Sequence, residues 1–200
     1  IMTGLPALVT IGYTLYLFQF KYQHLAPQIN LVRLNYSKEI LSLGLYFFLI
    51  QVFGIMLTQT GNIIISNVSG PEFVPEYYIA TRYFNILMMF FMIVTTPFWS
   101  ATTEAIVKND YEWINRSYKS LLKVFYVTIV IGAIMLFISP YIIKIWTGDR
   151  VKVRFIVAVL SYLYMLLFML NNIYVTFING FGKIRMQLII VIATSLINIV

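Results

Sequence analysis

The chain has 200 residues, of which 60% are hydrophobic and 10% charged, with a mean hydropathy of +0.86 and a net charge of +7. An ordinary soluble domain carries about 25% charged residues, so this composition excludes that class and points to a membrane protein. The chain has no cysteine, which excludes disulfides and thiolate metal sites. Its basic residues flank apolar runs, a pattern that membrane topology explains without nucleic acid as a partner.

Residues 1–20, 40–71, 83–103, 124–143, 155–182 and 186–200 contain no Asp, Glu, Lys or Arg. A crossing needs about 20 apolar residues at ~1.5 Å each. The first five runs are long enough and the sixth is cut short. A barrel would show alternating segments of about ten residues instead. The expectation is an all-α, polytopic transmembrane helical bundle of about six spans: 2–20, 40–65, 77–101, 121–145, 155–178 and one from 186. The chain opens on Ile1 and stops at Val200 inside an apolar run, which predicts a fragment with a truncated last span. Residues 1–20 lack the basic start and small-residue cleavage site of a signal peptide.

The first connection holds Lys21, Arg33, Lys38 and the sole histidine, His24, which is expected to be a solvated loop residue. The span over 40–65 carries a stripe of Gln51, Gly54, Thr58, Gly61 and Asn62. The following "SGPEFVPE" predicts a turn, with Gly70 free to take positive φ and Pro75 in the first turn of the next helix.

The span over 77–101 has two faces. Tyr78, Arg82, Asn85, Met89, Thr96 and Ser100 lie on one side, and Phe84, Leu87, Phe91 and Phe98 on the other. The expectation is that Phe and Leu meet lipid and the polar stripe meets protein or water. A charge at mid-helix costs ~2.5–3.5 kcal/mol on insertion scales, less near the interface. Arg82 therefore snorkels to the headgroups, meets an anion in a cavity, or pairs with Glu72 or Glu76.

Pro97 and Pro140 are expected to kink their helices, with neighbouring helices satisfying the freed carbonyls. "NDYEW" predicts a capping box with Asn109 as cap and Glu112 three residues on. Tyr111, Ile114 and Tyr118 share a face there, predicting an interfacial helix that leads into span 121–145. Asp110 and Glu112 have the spacing of a glycosyltransferase metal motif, but a helix start favours acids anyway, so no metal is assigned. Asn172, Thr176 and Asn179 line one side of span 155–178, and small polar residues commonly glue helices together. "NGFGK" at 179–183 lacks the P-loop spacing and predicts a tight turn.

The first, third and fifth connections carry nine basic residues and the second and fourth carry four. The richer set is expected on the cytoplasmic side.

Three stretches are similar to a known family: "LSLGLYFFLIQVFGIMLTQTGNIIISNVSGPEFVPEYYIATRYF", "TTPFWSATTEAIVKNDYEWI" and "INGFGKIRMQ". They resemble bacterial polysaccharide exporters, the O-antigen and capsule repeat-unit flippases of the multidrug/oligosaccharidyl-lipid/polysaccharide flippase superfamily. The resemblance implies that residues 1–39 are the last span of a first bundle with a cytoplasmic linker, and that 40–200 are an incomplete second bundle. It implies a multi-pass protein of the bacterial cytoplasmic membrane that flips lipid-pyrophosphate-linked oligosaccharides for surface polysaccharide synthesis, with a coupling ion. Basic cavity residues of that family meet phosphate, a role that Arg82 matches. The residues suited to such a cargo are Arg82, Asn85, Tyr78, Gln51, Asn62 and Asn172. No catalytic residue, cofactor or metal is assigned, and the partners are membrane lipids and the lipid-linked substrate. The alternatives are a multidrug exporter of the same superfamily, which acidic residues inside the spans would favour, a membrane enzyme such as a repeat-unit polymerase or glycosyltransferase, and a structural membrane subunit.

Overall fold

A backbone in hydrocarbon must satisfy its own hydrogen bonds, so apolar runs of this length fold as helices. The computed structural model describes residues 4–27 and 37–199. Six α-helices account for most of them: α1 (Gly4–Phe20), α2 (Ser37–Val68), α3 (Val74–Val107), α4 (Tyr111–Thr147), α5 (Phe155–Gly180) and α6 (Ile184–Ile199). α2 to α5 are long and apolar enough to cross a membrane, while α1 and α6 are apolar but shorter. The protein is an all-α, multi-pass membrane protein.

The chain divides into two compact units, Ile1–Leu43 and Gly44–Val200. In the first, α1 buries none of its side chains and is followed by a 3-10 turn over Gln23–Leu25. The linker residues 28–36, including Arg33, lie outside the described residues.

The second unit is built on α3, α4 and α5. Glu76 at the start of α3 meets Arg154 at the start of α5, and the Thr103 hydroxyl donates to the Gly180 carbonyl (3.1 Å) near their other ends. α3 and α5 therefore run parallel, with α4 antiparallel against both. The 69–73 and 148–154 connections lie at one end, and 108–110 and 181–183 at the other.

The core is aromatic and sulfur-rich. Phe84, Leu87 and Phe91 of α3 are 0%, 6% and 2% exposed. Phe84 packs on Tyr162 and Phe91 on Phe125, with ring centroids 5.6 and 6.5 Å apart. Phe98 is half-buried and stacks on Trp113. The expectation that this face of α3 meets lipid is overturned. Lipid tails and helix interfaces are equally apolar, so close packing and interhelical hydrogen bonds select the buried face. The packing here includes Gly132, where a methyl group would run into the Tyr162 ring. Tyr162 in turn donates to the Ile129 carbonyl (2.7 Å), and Tyr83 donates to that of Met135 (3.0 Å).

The turn into α3 forms as expected: Gly70 has φ 114°, a 3-10 turn follows over Pro71–Phe73, and Pro75 sits in the first helical turn. Three other details differ. Asp110, not Asn109, caps α4, accepting from the Trp113 amide (2.9 Å). Asn109 takes a left-handed conformation (φ 57°) at the end of α3, a position Asn tolerates. Residues 111–118 are the first turns of α4 itself, which runs unbroken to Thr147. Lastly, the carbonyl that Pro140 cannot satisfy, that of Leu136, accepts from the buried Ser139 hydroxyl (2.8 Å) of the same helix, not from a neighbour.

Candidate functional site

With its aromatic face turned into the core, α3 leaves its polar face uncovered by α4. A cavity of about 250 Å³ lies there, between α2, α3 and α5. α3 contributes Tyr77, Tyr78, Thr81, Arg82 and Asn85. Thr58, Gln59 and Asn62 come from α2, and Tyr164 and Phe168 from α5. Met88 and Met165, both buried, form the apolar floor.

Arg82 supplies the positive charge. Side chains on a helix lean toward its start, and the guanidinium lies over the Tyr78 ring, one turn back, at 5.0 Å from its centroid. A cation over an aromatic face is held in orientation, and its N–H edge stays available for an anion. No Asp or Glu lines the cavity. Among the described residues Arg82 forms no ion pair.

The expected pairing with Glu72 or Glu76 is therefore not found. The Glu76 carboxylate is 7% exposed. It accepts from the Arg154 amide (2.7 Å), its Nε (2.9 and 3.1 Å) and an Nη (2.9 Å). This contact holds the Arg154 guanidinium, which also lies over Phe73, above its ordinary pKa. Arg82 loses the competition for Glu76 because Arg154 offers both a guanidinium edge and a backbone donor, and bidentate charge-assisted bonds are the strong ones.

The polar groups of the cavity fall into two sets. The Thr81 hydroxyl folds back on the Tyr77 and Tyr78 carbonyls and that of Thr58 on Ile55, so both are satisfied. The Asn62 amide nitrogen donates to Gln59 (3.0 Å), but its buried carbonyl oxygen has no partner. Among the described residues the Tyr77 and Tyr164 hydroxyls and the Asn85 side-chain amide form no hydrogen bond, so they can meet a ligand. Gly61 lets Tyr77 lie against α2: a methyl group there would fall 2.9 Å from the Tyr77 hydroxyl.

Four of the six residues expected from sequence meet in this cavity: Arg82, Asn85, Tyr78 and Asn62. Gln51 is exposed on α2, some three turns from Asn62 and outside the cavity. Asn172 is also outside, and its Oδ1 accepts from the Thr95 hydroxyl (3.2 Å), tying α5 to α3. Sequence reasoning missed Tyr77, Gln59, Tyr164 and Phe168. Gln59 stands one turn before Asn62 and could have been found by that spacing. Tyr164 and Phe168 lie in an aromatic run with no marked face.

His24 lies exposed in the 3-10 turn after α1. No group of His, Cys, Asp or Glu among the described residues could hold a metal ion, and Asp110 is engaged as a helix cap.

The arrangement can hold an anion by its cationic end and present amides, hydroxyls and aromatic faces to a polar chain. Comparison of the chain with family models, with curated proteins and with solved structures finds no match.

Proposed function

We propose that this chain is part of a transporter that flips lipid-pyrophosphate-linked oligosaccharides across the bacterial cytoplasmic membrane for surface polysaccharide synthesis. The observation that carries this reading is Arg82, a permanent cation in a polar cavity without a carboxylate partner. A guanidinium suits phosphate because its planar fork donates two parallel hydrogen bonds. A site of reduced dielectric strengthens that attraction over its value in water. Asn62, Asn85, Tyr77 and Tyr164 offer the amides and hydroxyls that a sugar chain requires. The lipid tail remains in the bilayer while its head enters the cavity. The resemblance of the stretches around α2 and α3 to repeat-unit flippases supports the same cargo, and a cavity whose one charged lining residue is Arg82 disfavours a cation exporter.

The test is surface polysaccharide per unit of membrane-inserted protein in a flippase-null bacterial strain expressing the full protein. Arg82→Ala is expected to insert normally and export at under about a tenth of the wild-type level, since a charge-assisted pair contributes roughly 1.5–3 kcal/mol. Arg82→Lys keeps the charge and loses the fork, so partial export is expected. Near-normal export by Arg82→Ala would leave Arg82 as an interfacial anchor and sink the proposal.

A further inference from the structure

α4 is longer than a bilayer is thick: its 37 residues span about 55 Å against ~30 Å of hydrocarbon. Its inner face is fixed by Ser117, Leu121, Phe125 and Thr128, all buried. At about 100° per residue, the opposite face reads Arg116, Lys119 and Lys123, then apolar residues, then Lys144. Val130, Phe137 and Tyr141 of that face are 61%, 73% and 74% exposed.

Lys123 and Lys144 are the charges that bracket this apolar stretch. Their positions place them roughly 31 Å apart along the axis, which matches the hydrocarbon thickness. That match sets the depth of the helix. Lys123 lies at one hydrocarbon boundary, with the exposed Tyr126 beside it at the level of an aromatic belt. Lys119 lies about 6 Å further out, within a headgroup layer about 5–7 Å deep, and Arg116 about 10 Å out, a few ångströms beyond it. Long basic side chains adjust their reach within such a layer.

The nearby acids leave this rim positive. Glu104 pairs with Lys108, and Asp110 holds the Trp113 amide. Glu112 shares the face but stands one turn beyond Arg116, on the water side. Arg116, Lys119 and Lys123 form no ion pair among the described residues. At the other end the same face of α4 carries Lys144 alone; Arg150 and Lys152 lie beyond the helix in the 148–154 connection, and Arg154 is engaged by Glu76.

We infer that Arg116, Lys119 and Lys123 form a binding rim for the phosphate headgroups of anionic phospholipids, in the leaflet at the α3–α4 connection. The rim holds those lipids against the back of α4, on the face turned away from the core and the cavity.

The experiment measures how strongly spin-labelled phosphatidylglycerol, relative to spin-labelled phosphatidylcholine, associates with the full protein in phosphatidylcholine vesicles. The wild type is expected to favour phosphatidylglycerol several-fold. R116Q/K119Q/K123Q is expected to bring that preference close to one, a fall of up to about five-fold, the effect of one basic residue near an anionic surface. Glu112→Gln, which needs no rim residue removed, is expected to raise it. Millimolar glycerol phosphate in solution should leave the preference intact, whereas its loss there would identify a site for soluble phosphate instead. An unchanged preference in the triple variant, with helicity and elution volume as in the wild type, would overturn the inference. So would an equal fall from K144Q/R150Q/K152Q, because the effect would then belong to net charge and not to this rim.

Discussion

Two charged residues a turn and a half apart on α3, Glu76 and Arg82, have opposite fates. Glu76 is buried and fully engaged by Arg154, whereas Arg82 is exposed to the cavity with only a ring beneath it. The first is a structural contact. Glu76→Ala removes an acceptor shared by the Arg154 side chain and the amide that opens α5. It is expected to cost about 1.5–3 kcal/mol, read as a lowered unfolding midpoint in detergent. The second is the contact on which the proposed transport function rests. Tyr78→Phe keeps the ring under Arg82 and should export like wild type. Tyr78→Leu loses a cation–π contact of ~0.5–1 kcal/mol and is expected to reduce export two- to five-fold at equal protein level. Equal export by the two variants would show that the ring does not orient the guanidinium.

At the scale of the element, Ser139 and Pro140 act as a pair. Ser139→Ala should cost about 1–3 kcal/mol, because a buried carbonyl loses its donor. In a Pro140→Ala background the backbone N–H of residue 140 can serve that carbonyl, so the same substitution should cost little. A double-mutant cycle in detergent unfolding measures the difference, and additive costs would refute the assignment. The sequence made the helices themselves easy to find, since charge-free runs in a chain that must bond its own backbone have one regular solution. It did not reveal which face of α3 is buried, because Phe84 and Phe91 are as comfortable against Met165 or Phe125 as against lipid. It placed the α4 cap one residue early, because Asn109 and Asp110 are adjacent and either can cap; only the backbone turn out of α3 distinguishes them. The cavity was half legible: α3's own polar stripe gave Arg82, Asn85 and Tyr78. Tyr164 belongs to the site only through the packing of α5, and Asn172, polar and equally plausible by sequence, was drawn instead into a bond with Thr95.

At the scale of the molecule, the second unit has its 108–110 and 181–183 connections at one end and its 69–73 and 148–154 connections at the other, and by sequence the basic residues of the five connections divide nine to four between odd and even. The positive-inside bias predicts the α3–α4 connection on the cytoplasmic side and the α2–α3 connection on the opposite side. The native chain lacks cysteine, so single replacements report cleanly. In intact spheroplasts an impermeant maleimide should label Ser69→Cys and spare Asn115→Cys, both exposed positions. Labelling at 115 alone would reverse the orientation.

The clasp between Glu76 and Arg154 joins positions 78 residues apart. At a synthesis rate of about 5–20 residues per second, Arg154 emerges roughly 4–16 s after Glu76. During that interval α3 stands in the membrane with an unpaired carboxylate, and Phe84, Phe91 and the methionines beside them wait for α5. The bundle's centre thus cannot be completed in the order in which it is made. A chain released between α4 and α5 should be short-lived, and a pulse–chase of released chains that end at Arg150 and at Lys183 measures the difference: the shorter is expected to be degraded several-fold faster. Equal lifetimes would mean that α3 and α4 hold each other without α5.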